Sequence, residues 1–83
     1  MNRKQLLKRL ADGALHNIAF GDLADLAEGF GFRLRRTSGS HHIFVHPDVP
    51  EILNLQDVRG EAKSYQIRQL LRLVERYNMQ VED

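Results

Sequence analysis

Between Leu23 and Leu34 the spacing of apolar residues changes from that of a helix to that of a strand. Leu23, Leu26, Ala27 and Phe30 recur at i, i+3, i+4 and i+7, which places them on one face of an α-helix. From Phe32 the period is two: Phe32 and Leu34 alternate with Arg33 and Arg35, the pattern of a strand with one buried face. Gly29 and Gly31 lie at the junction, and each offers the helix a stop position. A short chain that switches period in this way must pack helix against sheet, because neither apolar face can be left in water.

The remaining elements follow from the same reading. Leu6, Leu7 and Leu10 lie at helical spacing in a segment from Asn2 to about Ala11, with Arg3, Lys4, Lys8 and Arg9 on its other faces. A connection over 14–21 leads to the second helix, which Gly21-Asp22 opens, Asp22 suiting its first turn. After the strand from Phe32 to about Thr37, Ser38-Gly39-Ser40 supplies turn chemistry, and His41 to His46 reads as the second strand of a β-hairpin. Pro47-Asp48-Val49-Pro50 breaks that strand, and Glu51 to Gln56 forms a third, with Leu53 and Leu55 alternating against Ile52 and Asn54. Asp57 to Lys63 is a polar loop, and Ser64 is the expected N-cap of a last helix. Ile67, Leu70, Leu71, Val74 and Tyr77 form the apolar face of that helix, opposite Gln66, Arg68, Gln69, Arg72 and Arg76. The expected fold is therefore α+β, in the order α-α-β-β-β-α, with helices on one face of a three-stranded antiparallel sheet and the other face in water.

At 83 residues, 1–83 form one small domain with a single core, with 1–19 an added N-terminal helix and connection. Without cysteine, neither a disulfide framework nor a thiolate metal site is available, and a cytoplasmic location is the default. No apolar run approaches the roughly 20 residues of a membrane span, and the first residues lack the apolar stretch of a signal peptide. The formal net charge is only +1, but its distribution is uneven. From Gly29 to Pro47 there is no acidic residue, while Arg33, Arg35, Arg36, His41, His42 and His46 all fall there. Such a strip suits phosphate, although solvated positions on strand faces explain it equally.

Three of the four histidines lie within six positions, and strand geometry limits what they can do together. His41 and His42 are neighbours on a strand and point to opposite faces. His42 and His46 share a face but stand about 13 Å apart at a rise of roughly 3.3 Å per residue, too far for two metal–nitrogen bonds of ~2.1 Å. No metal site is expected. Ser38 and Ser40 beside His41 are more simply turn residues than nucleophiles, since no strand-turn-helix elbow presents either. General acid–base chemistry asks only for one exposed imidazole with cations nearby to steady a phosphate. If Ile43 and Val45 face the core, then His42, Phe44 and His46 line the open face with Arg33 and Arg35, a cationic surface with an aromatic ring as single-stranded RNA recognition favours. His41 would then point inward at the sheet margin. A histidine hydrogen-bonded locally, with no chemistry, is the plainer alternative.

The stretch GFRLRRTSGSHHIFVHPD resembles the signature of the HicA toxin family, small RNA-cleaving toxins of bacterial type II toxin–antitoxin pairs. Gly31-Phe32, Gly39-Ser40-His41-His42, Phe44 and His46-Pro47-Asp48 match it in order and spacing, and Ile67-Arg68-Gln69-Leu70-Leu71 stands where the family's second helix belongs. The resemblance covers about residues 20–77. It implies a double-stranded-RNA-binding-domain-like sandwich and metal-independent cleavage of mRNA without a cofactor. It further implies that His41 is the active-site residue, with Gly39, Ser40 and His42 as accessory positions. Arg33, Arg35, Arg36, Phe44 and His46 are the expected RNA-binding set. The implied partners are mRNA and a HicB-type antitoxin protein, in a homo-oligomer or a toxin–antitoxin hetero-oligomer, with no membrane. The rival expectation is a non-catalytic RNA-binding or protein-interaction module of the same fold. The twenty or so residues before Phe20 depart from the family pattern and could serve as a lid, a dimer element or more core.

Overall fold

The computed structural model describes residues 1–82. Its elements are α1 (Arg3–Ala11), α2 (Phe20–Gly29), β1 (Arg33–Ser38), β2 (His41–His46), β3 (Val49–Gln56) and α3 (Ser64–Arg76). The strands form an antiparallel sheet in the order β1-β2-β3. α1 packs on α2 and α3 packs on β3. Phe32, Phe44, Leu53 and Leu55 from the sheet side are buried with Leu23, Leu26, Ile67 and Leu70 of the helices. The expected α+β architecture and element order are those observed.

Several boundaries move for physical reasons. β3 begins at Val49 and contains Pro50. As β3 is an edge strand, a missing N–H on its outer side breaks no ladder bond. Ser64 is the first residue of α3 and not its cap; Lys63 occupies the cap position, with no side-chain bond to the helix end. α2 starts at Phe20, whose N–H donates to the Gly60 carbonyl at 2.8 Å, while Ala62 N–H donates to Ile18 O at 2.9 Å. The loop after β3 is therefore held against the segment that enters α2.

Two glycines are needed where the chain reverses. Gly31 N–H bonds Glu28 O and Phe32 N–H bonds Ala27 O, the paired bonds of a Schellman motif, with Gly31 at φ +97°. A Cβ there would also stand 2.8 Å from His46 Nε2. Gly39, at φ +59°, is the first central residue of a two-residue turn between Ser38 and His41, the position at which a type II′ hairpin requires glycine. Ser38 itself lies within β1.

Of the three roles open to α1, packing assigns it to the core. Leu6 and Leu10 are buried, as are Leu15 and Ile18 in the connection. Asn2 caps the helix, its Oδ1 accepting from Lys4 N–H at 2.9 Å and Gln5 N–H at 3.2 Å. Arg3 fixes its angle on α2 by donating Nε–H to Asp25 Oδ2 at 3.0 Å and Nη2–H to Asp25 Oδ1 at 2.8 Å. Its third donor, Nη1–H, reaches Glu82 O at 2.9 Å, and Glu82 N–H bonds Gly29 O. One guanidinium thus joins both ends of the described chain to α2.

Three outcomes follow in urea denaturation. Gly39→Ala, which meets no neighbouring atom, should cost only the left-handed backbone strain of roughly 1–2 kcal/mol. Gly31→Ala should cost more, since it also displaces His46. Leu10→Ala should destabilise by roughly 2–5 kcal/mol, where a lid or dimer element would leave the monomer's midpoint unmoved. The Arg3 hydrogen bond holds the Asp25 carboxyl below its usual range. Asp25 therefore adds stability above the usual carboxylate range and loses it as pH falls below that range through the lowered folded value, so Asp25→Asn should weaken the protein near neutrality and flatten the acid limb of its stability–pH curve.

Candidate active site on the open sheet face

The register of the hairpin decides which residues share the site. Arg33 pairs with Val45, Leu34 with Phe44, Arg36 with Ile43, Thr37 with His42 and Ser38 with His41. Directly paired residues lie on the same face. Phe44, also opposite buried Leu53, is on the helix-covered face, and so are His42, opposite Leu55, and His46, opposite Val49. The open face carries His41, Ile43 and Val45. This reverses the expected facing of β2. Ile43, Phe44 and Val45 are all apolar, so the alternation could be read in either phase. The observed phase buries the aromatic ring between Leu34 and Leu53.

Phe44 is consequently part of the core and presents no ring to a ligand. His46 is half-buried and structurally engaged. Its Nε2–H donates to Phe30 O at 3.0 Å, its Nδ1 accepts from Asp48 N–H at 3.0 Å, and its ring meets Phe32 edge-on at 5.2 Å. His42 lies against the Phe20 ring at 4.6 Å between centroids, with Nδ1 3.0 Å from Ser40 O. It is separated from His41 by the thickness of the sheet. The open-face positions expected for His42, Phe44 and His46 are thus corrected.

Arg33, paired with Val45, keeps the open face expected for it, and one irregularity brings Arg36 beside Arg35. A bulge between Leu34 and Arg36 inserts Arg35 without a partner. It lets Arg35 and Arg36 line the same shallow depression, with Ile43, Val45 and Ile52. The same bulge and the edge position leave Leu34 49% exposed, so of the alternating pair Phe32 and Leu34 only Phe32, just before β1, is buried.

His41 is exposed at the first position of β2, immediately after the Gly39-Ser40 turn. Its Nδ1 lies 2.9 Å from Asn54 Nδ2 and 3.2 Å from Asn54 Oδ1. Asn54, on β3, projects to the same open face. Through Oδ1 its amide accepts from a ring protonated at Nδ1, which leaves Nε2 free to take a proton. Through Nδ2–H it donates to a ring protonated at Nε2. Asn54 carries no local signal in the sequence, because only the β2–β3 register brings it to a histidine 13 residues away. Among the described residues no group of three or more His, Asp or Glu side chains converges as metal ligands would.

The arrangement is that of one exposed imidazole oriented by an amide, on a face bearing two adjacent guanidinium groups and an apolar floor. Among protein-family models, one described as the HicA toxin of bacterial toxin–antitoxin matches residues 21–75, well over half of the chain. No curated protein and no solved structure matches it.

Proposed function

Because this chain belongs to the HicA toxin family of bacterial toxin–antitoxin systems, we propose that it is an endoribonuclease that cleaves mRNA with His41 as its catalytic residue. The observation that carries the reading is the hydrogen bond between His41 and Asn54 on the open face of the sheet, a base and its orienting partner exposed to a polymer-sized substrate. Nε2 of His41 takes the proton of a ribose 2′-hydroxyl. The freed oxygen forms a bond to the adjacent phosphorus as the bond from phosphorus to the 5′-oxygen breaks. Arg35 and Arg36 offset the charge that develops on the phosphoryl oxygens. Water reaching the exposed site supplies the proton to the 5′-oxygen, a role His42 does not fill from the opposite face. The products are a 2′,3′-cyclic phosphate and a 5′-hydroxyl. No metal enters the step, and cleavage is expected to persist in chelator.

A toxin–antitoxin family implies an antitoxin partner. We propose that a HicB-type antitoxin covers the open face, where Ile52 is 55% exposed beside Ile43 and Val45 and would be removed from water by a partner. The same apolar floor favours the second reading, a binding module of this fold that holds RNA or protein without cutting it. The toxin acts on RNA in the cytoplasm. Among the described residues no helix is long and apolar enough to cross a membrane.

Cleavage of a labelled oligoribonucleotide separates the two readings. His41→Gln should lower the rate by roughly a hundredfold or more while RNA binding persists. Asn54→Ala should lower it by roughly ten- to a hundredfold, the scale on which partners that orient functional histidines act. His42→Ala should keep the rate of the folded protein and lower its thermal midpoint. Unchanged cleavage by His41→Gln, or intact RNA with the native protein both with and without chelator, would refute the nuclease reading.

A further inference from the structure

The protein has four phenylalanines, two tyrosines and no tryptophan. Phe20, Phe30, Phe32 and Phe44 are all buried, and half-buried Tyr77 has its hydroxyl tied to Glu51. Among the described residues Tyr65, in the first turn of α3, is the one phenylalanine or tyrosine ring that meets solvent broadly, at 56% exposure. We propose that Tyr65 is a stacking subsite for a base of single-stranded RNA bound across His41, an inference that rests on the ribonuclease reading above.

Three observations support a built site in place of a loose surface ring. The Tyr65 hydroxyl donates to Gln56 Oε1 at 3.2 Å. Gln56 is itself gripped by Gln66, which is 2% exposed: Gln56 N–H donates to Gln66 Oε1 at 2.7 Å and Gln66 Nε2–H donates to Gln56 Oε1 at 3.0 Å. The exposed ring is thus tethered through its hydroxyl to a buried amide, which lowers the ordering cost of binding. Second, Gln56 is the direct β3 partner of His41, so the tether that holds the ring is one ladder rung from the catalytic imidazole. Third, Lys63 Nζ stands 5.7 Å from the centroid of the ring. An ammonium over one face leaves the other free, and it can meet the phosphate of the nucleotide that stacks there.

This combination of a flat ring, an adjacent cation and an open approach is how proteins hold unpaired bases, with stacking supplying affinity and little sequence preference. The network that closes the end of β3 needs the hydroxyl but not an exposed ring. Phe44, buried, cannot provide this contact; Tyr65 can, from the far side of the β3 edge.

The test uses the full chain and an oligoribonucleotide made uncleavable by 2′-methoxy substitution, with the cleavable oligonucleotide in parallel. Tyr65→Ala should weaken binding roughly 5- to 150-fold, the range of one lost base–aromatic stack. Tyr65→Phe, which keeps the ring, should bind within a few-fold of the native protein. Without tryptophan, tyrosine emission reports the contact: RNA should quench it in the native protein and in Tyr77→Phe, and not in Tyr65→Ala. Circular dichroism confirms that each variant is folded. Native affinity in Tyr65→Ala, or quenching that survives it, would overturn the subsite while leaving a native enzyme that cleaves as proposed. RNA bound through Tyr65 but not cut would uphold the subsite and overturn the nuclease reading. RNA not bound by the native protein would overturn both.

Discussion

Phe44 lies in the middle of the central strand, paired across the ladder with Leu34 on one side and Leu53 on the other, beneath the helices. Because side chains on a strand alternate faces, the burial of this one ring assigns every other residue of β2. His41, Ile43 and Val45 go to water; His42 and His46 go toward the helices. A shift of one residue would bury the imidazole proposed here to do chemistry. The make-up of the open face therefore depends on a packing contact on the opposite side of the sheet.

Placing two histidines and a glutamine on the helix side would be costly without partners, since a buried polar group left unpaired loses its hydration for nothing in return. Each is matched. His46 bridges the end of α2 to the turn after β2, His42 is bonded to Ser40 O and packed on Phe20, and Gln66 closes the end of β3. Among the described residues no buried side-chain nitrogen or oxygen lacks a partner. These bonds also specify the fold: His46 needs the close approach that only glycine allows at Gly31, so the end of α2 and the end of β2 are fitted to one another.

α1 lies outside the matched family region, and the Arg3–Asp25 pair ties it to a residue within that region. The helix does not contribute to the open face. Its leucines extend the core behind α2, and the open face of the sheet stays uncovered by it. The division is physical, with apolar cover on one side of the sheet and cations, an oriented imidazole and a tethered tyrosine on the other or at its edge.

Element order and type were legible because they rest on local periodicity. The helical spacing of Leu23 to Phe30, the glycines that end it, the hairpin turn at Gly39 and the Leu53/Leu55 alternation each state their own structure within a few residues. His41 was singled out for the proposal by the resemblance that Gly39-Ser40-His41-His42 carries, and the arginine strip is a run of near neighbours in the chain. What the sequence could not determine was the phase of β2, because three successive apolar residues satisfy either face. It also could not show the bulge that brings Arg35 beside Arg36, or the partners Asn54 and Gln56 that reach His41 and Tyr65 only through the β2–β3 register and the docking of α3. Local patterns depend on neighbours in the chain and are written in it. Facing, bulges and side-chain partners depend on which surfaces compete for burial, and only the packed structure decides that competition.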